Sequence, residues 1–174
     1  MRIALIHPAG SNWMPGKKDI TPTANRMAPL GLLSIAAYLE KSGHDVDVHD
    51  CLGPRAPKDA GAIVEWILSR NPELVGISAT TSGFLDVYVL VCHIKSAAPE
   101  VKNIFGGVHI SSMGAVLLER FEHIDYLCLG EGELTLIQLA EGKAPATIDG
   151  LAWWDNGRAV TNPQRTHIPN LDSL

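Results

Sequence analysis

Lys102-Asn103-Ile104-Phe105-Gly106-Gly107-Val108-His109 is the stretch whose reading decides the fold. A short apolar run, Ile104-Phe105, enters two glycines directly. Paired glycines at the carboxyl end of a strand admit backbone angles closed to other residues. They also leave no side chain between the backbone and whatever lies against it. Open parallel α/β sheets bind ligands in the crevice beyond their strand ends. Gly106 and Gly107 are therefore candidates for the floor of a ligand groove. A plain tight turn into the next helix would use the same pair.

Working outward, strand-like runs recur at regular intervals. Arg2–His7 is continuously apolar, as a strand buried on both faces requires. His44–Asp50 alternates, with Val46 and Val48 inward, and Leu74–Ser78, Lys102–Phe105 and Tyr126–Leu129 follow. Helical patterns separate them. Pro29–Ser42 carries Leu32, Leu33, Ile35, Ala36 and Leu39 on one face and stops at Gly43. Asp59–Arg70 starts on a candidate N-cap, Asp59. Phe84–Ala97 has a β-branched middle, but two parallel strands need a crossover between them, which makes it a helix. Ser112–Phe121 is helical with Ser111 or Ser112 as N-cap, and a last helix opens at Gly130-Glu131-Gly132-Glu133 and runs to about Glu141.

Strands beginning near residues 2, 45, 74, 102 and 126 predict an α/β fold: a doubly wound, flavodoxin-like five-stranded parallel sheet. Beyond Gly142 the pattern changes to a β-hairpin, with Ile148–Trp154 and Ala159–Thr161 as strands and Asp155–Arg158 as the turn. The expected division is an α/β domain over 1–142, a hairpin extension over 143–161 and a linker over 162–174. Pro8–Ala28 and Leu52–Lys58 read as loops, the first overhanging the same sheet edge as Gly106-Gly107.

The bulk numbers exclude several classes. A chain of 174 residues, 46% hydrophobic and 19% charged, suits one globular domain. Its net charge is −5 and its densest basic cluster is Lys17-Lys18, which argues against a nucleic-acid partner. No apolar run is long enough for a membrane span or a signal peptide, so no membrane partner and a cytoplasmic location are expected. Cys51, Cys92 and Cys128 lack metal-site spacing; Cys92 and Cys128 read as buried and Cys51 as more exposed.

Four loops should converge at the carboxyl edge of the sheet. Thr80, Thr81 and Ser82 offer hydroxyls that suit a large neutral or amide-bearing ligand, although helix capping needs only one of them. No Gly-x-Gly-x-x-Gly follows the first strand, and the glutamates of Gly130-Glu131-Gly132-Glu133 would repel a pyrophosphate, so a dinucleotide site is disfavoured. Glu133 also suits a helix N-terminus. Of His7, His49 and His109, all near strand ends, His109 stands best placed because it follows the glycine pair. Triad order, paired catalytic carboxylates and a metal cluster are all missing, which points to a binding domain rather than to a chain catalytic by itself.

The segments Pro29-Leu30-Gly31-Leu32-Leu33 through Gly43-His44, Gly106-Gly107-Val108-His109, Gly130-Glu131-Gly132-Glu133-Leu134, Ile148-Asp149-Gly150-Leu151-Ala152 and Ile168-Pro169-Asn170-Leu171-Asp172 occur in an order that carries a resemblance. Together they resemble the N-terminal cobalamin (vitamin B12)-binding domain of cobalamin-dependent radical S-adenosylmethionine (radical SAM) enzymes, over nearly the whole chain. The resemblance implies cobalamin as cofactor and, as partner, a C-terminal radical SAM domain that this chain lacks. S-adenosylmethionine and a 4Fe–4S cluster would belong to that absent part. The parent would carry out methyl transfer or ring formation. By position, Thr80, Thr81 and Ser82 would line the groove for the cobalamin nucleotide tail. Gly106, Gly107, Val108 and His109 would pass close to that tail, and Gly130 and Glu131 would rim the pocket. Methionine-synthase-like domains carry Asp-x-His-x-x-Gly after the first strand; here that strand ends His7-Pro8-Ala9-Gly10, so no histidine ligand to cobalt is expected. Asn12, Trp13, Met14 and Arg26 are candidates to approach the lower cobalt face. The competing reading is a cofactor-free domain of the same shape, acting as an interaction or substrate-docking module. A flavin-mononucleotide protein ranks below both, because Pro-Ala-Gly-Ser-Asn at 8–12 makes a poor phosphate loop.

Overall fold

β1 (Arg2–His7), β2 (Asp45–Asp50), β3 (Leu74–Ser78), β4 (Lys102–Gly106) and β5 (Tyr126–Cys128) form a parallel sheet in the order β2-β1-β3-β4-β5. That is the flavodoxin-like order the sequence predicts, with its switch point between β1 and β3. The computed structural model describes residues 1–8, 28–53, 57 and 59–169. The overhanging loop, with Asn12, Trp13, Met14 and Arg26, and the last five residues lie outside the described residues.

Helices cover both faces. α1 (Leu30–Lys41) and α6 (Glu133–Ala140) pack on one side; α2 (Ala60–Ser69), α3 (Phe84–Ala97), α4 (Val108–Met113) and α5 (Val116–Arg120) pack on the other. Each strand feeds both layers through its two-residue period. Ile3, Leu5, Leu74 and Ile104 face α1 and α6, whereas Ala4, Ile6, Val75, Ile77 and Phe105 face the other helices. Asp59 caps α2, its Oδ1 accepting from the Ala62 N–H at 2.8 Å. The hairpin β6 (Leu151–Asp155) and β7 (Arg158–Thr161) does not stand apart. β6 pairs antiparallel with β5 and β7 with β6, extending the sheet to seven strands. None of the described helices is long and apolar enough to cross a membrane.

Two expectations are corrected. The helix predicted over Ser112–Phe121 starts at Val108 and is split into α4 and α5 at Gly114, whose φ is 64°. Neither serine caps it: the Ser111 Oγ accepts from the Gly130 N–H at 3.0 Å, and the Ser112 hydroxyl donates to the Val108 carbonyl at 2.8 Å. Gly107 is the reason, because its backbone turns the chain from strand into helix within one residue. Cys51, expected to be exposed, is 2% exposed and sits in the α2–α3 core.

β2 lies at the sheet edge, and there Val46 and Val48 are only half-buried while His49 is buried against Trp66, ring centroids 4.5 Å apart. Burial pulls the His49 pKa below its usual 6.5, against weaker opposing pulls from the Pro57 backbone and Asp50. The neutral ring is therefore favoured in the fold. Its contribution is complete above the unfolded value of 6.5 and is lost as pH falls toward the lower folded value. Denaturant titrations between about pH 5 and about pH 7.5 should show stability falling on the acid side, and His49→Gln should flatten that slope.

Candidate functional site

The face under α1 and α6 carries a cleft of about 330 Å³ at the carboxyl ends of β1, β3, β4 and β5. Sites for small molecules run from roughly 300 to 1,000 Å³. Strand alternation and register set its floor. Leu5 pairs with Gly76, and Gly76 with Ile104, so a glycine stands between two branched side chains in one row across the sheet. A Cβ at Gly76 would come within 2.6 Å of Leu5 Cδ2, so the neighbours occupy the space a side chain would take. One row nearer the strand ends stand His7, Ser78, Gly106 and Cys128, all lining the cleft. Leu32 and Ile35 of α1 and Leu136 of α6 close it from above. Gly132 allows that approach, since a Cβ there would lie 2.8 Å from Ile35 Cδ1.

Gly107 forms the mouth with φ 104° and ψ 178°, a region that only glycine occupies readily. A Cβ would also meet the Ala79 carbonyl oxygen at 2.8 Å. Gly107→Ala should therefore cost about 1–3 kcal/mol, read as a lowered midpoint in chemical denaturation.

The sequence candidates divide. Gly106, Gly107, Gly130 and Glu131 line the cleft. Thr80, Thr81, Ser82, Val108 and His109 stand outside its walls, where the chain enters α3 and α4. Thr80 and Ser82 hydroxyls are 3.3 Å apart, and Thr81 Oγ1 meets His109 Nδ1 at 3.2 Å. The His109 ring also leans on Phe84, 4.9 Å between centroids, and Val108 is exposed.

Both carboxylates at the cleft are engaged. Glu133 Oε1 accepts from the Ser34 hydroxyl at 2.9 Å. Glu131 Oε2 accepts from the Ile168 N–H at 2.8 Å, with His167 Nδ1 at 3.3 Å from Oε1. The segment 162–169 is thus pinned along α6 rather than loose. Arg165 donates to Thr135 Oγ1, Gln138 Oε1 and the Asp149 carbonyl at 3.0, 2.7 and 2.9 Å. Asn162 Nδ2 donates to the Pro145 and Ile148 carbonyls. Burial pushes the Cys128 thiol up to about 12, so it lines the cleft as a neutral, unreactive group. Among the described residues no three His, Cys, Asp or Glu side chains are grouped to hold a metal.

His7, Gly76 and Ser78 are cleft residues that the sequence reading did not select. Gly76 carried a signal: glycine inside an otherwise β-branched strand often marks a close approach. Ser78 and His7 carried none beyond lying at strand ends, because the choice of face depends on which helices cover it.

The model of the B12 binding domain family matches residues 16–140. The chain belongs to the B12-binding domain family. It is 31% identical over 150 residues to an uncharacterized methyltransferase of Pyrococcus horikoshii, covering 84% of this chain and 32% of that protein. It is 32% identical over 182 residues to the anaerobic magnesium-protoporphyrin IX monomethyl ester cyclase of Synechocystis, covering 99% of this chain and 34% of the cyclase. The chain thus spans about a third of the length of these curated relatives. Its fold is shared with the radical S-adenosylmethionine methyltransferase TsrM of Kitasatospora setae, solved with cobalamin and a 4Fe–4S cluster: TM-score 0.74, 23% identity, 97% of this chain and 30% of that one. It is shared also with the cobalamin-dependent S-adenosylmethionine radical enzyme OxsB, solved with aqua-cobalamin, at TM-score 0.73 and 17% identity over 95% of this chain and 22% of that one.

The residues present fit one arm of a corrinoid. The cleft is apolar-walled and opened by glycines, which suits an aromatic base. Among the described residues the buried His7 Nδ1 has no hydrogen-bond partner, and His7 lines the same cleft. Unlike the unpaired His44 and His49 ring nitrogens, which lie away from the cleft, it is placed where a bound group can meet it.

Proposed function

We propose that this chain holds cobalamin by its nucleotide arm, as the corrinoid-carrying part of a longer radical SAM enzyme. The observation that carries the reading is the glycine-opened cleft over Gly76 and Gly106, in a chain of the B12-binding family. Bound cobalamin would supply cobalt-centred methyl or electron transfer. This chain's residues do the holding. Leu5, Ile104 and Leu136 exclude water from the buried arm, and Gly106 and Gly107 let it pass close to the backbone. Gly130 and Glu131 rim the opening, and Glu131 ties that rim to the segment that would lead toward a radical SAM barrel. Thr80, Thr81, Ser82, Val108 and His109 lie beside the mouth, on the part of the rim that a group larger than the cleft would overlie.

The reading includes a cobalt without a histidine ligand from this chain. The His7 ring faces the cleft, His109 is engaged by Thr81 and Phe84, and His167 by Glu131. By likeness to the relatives, the parent reaction is a methylation or a cyclisation. The test is direct: incubate the chain with hydroxocobalamin, desalt, and measure the corrin absorbance. Retention near one corrinoid per chain is expected. A colourless protein would favour the cofactor-free docking module instead. The absence of a large spectral shift toward an imidazole-ligated cobalt is expected in the retained complex.

A further inference from the structure

The cleft has an uneven distribution of polar atoms. Its mouth row holds His7 and Ser78; the row beneath holds Leu5, Gly76 and Ile104, capped by Leu136 and Ile35. In that lower row the side chains are apolar, and the strand backbones are engaged in the parallel ladder. Of the polar side chains lining the cleft, Glu131 is taken by Ile168 and Glu133 by Ser34. Among the described residues, His7 Nδ1 is left buried and unpaired. The next residue of the chain is a proline and the His7 carbonyl is taken by the Cys51 N–H, so the strand end that carries the ring is itself anchored.

We propose that His7, with Ser78 beside it at the mouth of an apolar cleft, makes this domain selective for the terminal base of the corrinoid, favouring a benzimidazole-type base over a purine base bearing an exocyclic amine. The inference rests on the cobalamin-holding reading and adds to it which corrinoid is held and by which side chain. A benzimidazole attached through one ring nitrogen has a single remaining polar atom, the other nitrogen. The mouth row offers two groups that can meet it: a hydroxyl, which donates or accepts, and an imidazole nitrogen, whose role follows its tautomer. The rest of the base is hydrocarbon and matches the lower row. Adenine of the same outline carries an amine and further ring nitrogens. Those atoms would be buried against Leu5, Ile104 or Leu136, where no side chain accepts or donates a hydrogen bond. A site that cannot pair a buried polar group rejects it.

The experiment measures dissociation constants of the intact chain for three probes: hydroxocobalamin, the corrinoid with adenine in place of dimethylbenzimidazole, and cobinamide, which has no base. Hydroxocobalamin should bind at least about tenfold tighter than the adenine form, and both tighter than cobinamide. His7→Leu should narrow the gap between hydroxocobalamin and cobinamide at least about fivefold, and His7→Asn should restore part of it. Equal binding of the two base-bearing corrinoids would overturn the selectivity and leave the cobalamin reading standing. A gap unmoved by His7→Leu in a chain with unchanged circular dichroism would overturn the role of His7. Failure to bind any of the three would overturn both readings. The three-probe series on the unaltered chain decides the selectivity even where a variant does not fold.

Discussion

Gly106→Val is expected to lower corrinoid retention by about 100-fold or more while leaving the melting temperature within about 3 °C of the parent. The asymmetry follows from what surrounds the position. A Cβ at Gly106 meets only the Cys128 Cβ, at an ordinary 3.7 Å, and its φ lies outside the left-handed region. β4 therefore accepts a β-branched residue there without strain. The added methyls instead project beside Ser78 and Cys128 into the space between sheet and helices. Gly107, one residue on, behaves in the opposite way: its substitution damages the fold before it damages the cleft. Absorbance after desalting, together with a thermal melt, checks both halves. Undiminished retention by a well-folded Gly106→Val chain would place the ligand elsewhere.

Asp125→Ala should destabilise the chain by about 3 kcal/mol, the largest effect expected of a substitution far from the cleft. The Asp125 carboxylate accepts from the Asn103 backbone N–H at 2.9 Å and from Asn103 Nδ2 at 2.8 Å. Lys95 Nζ approaches it at 2.6 Å and Lys102 Nζ at 3.0 Å. Asn103 Oδ1 accepts in return from the Asp125 N–H at 3.2 Å, and Asn103 is 2% exposed. This clasp joins the entry of β4 to the entry of β5, at the end of the sheet opposite the cleft. Removing the carboxylate takes the acceptor from the Asn103 backbone N–H and the counter-charge from the largely buried Lys95 ammonium, which keeps the Val101 carbonyl; losing that charge partner costs far more than such a pair contributes at a surface. Lys102→Ala should cost less than about 1 kcal/mol, because its side chain is 53% exposed and the Asp125 carboxylate keeps Lys95 and the Asn103 donors. For a chain of this length the larger loss corresponds to roughly 6–12 °C in melting temperature. Equal effects of the two substitutions would show that the clasp is not what holds the strand entries together.

Much of the frame was legible. Leu74–Ser78 and Phe84–Ala97 carry the bounds that their patterns imply, and the parallel order follows from five strand–helix units. The glycine pair after β4 lies at the cleft, as a strand running into two glycines suggested. The broken helix after Gly107 was not legible, because Ser111 and Ser112 look like caps until the strand-to-helix turn is known to occupy one residue. Thr80, Thr81 and Ser82 offer their hydroxyls at the exposed turn between the cleft-lining Ser78 and α3, and their place beside the walls rather than in them follows from where that turn leads, which local pattern does not show. The Asp125 clasp and the Arg165 contacts join residues 16 to 30 positions apart, and nothing in local pattern announces them.

What the sequence determined by itself is the alternation: apolar periods of two and of 3.6 residues dictate which residues share a face, and glycines dictate where the backbone can be approached. Only the tertiary structure decided which face opens. Whether a gap remains between sheet and helices depends on how closely α1 and α6 settle over β1, β3 and β4. That distance is fixed by contacts such as Ile35 against Gly132, which brings α1 close to the start of α6 across almost a hundred residues of chain. His7 becomes a cleft-lining residue for that reason alone.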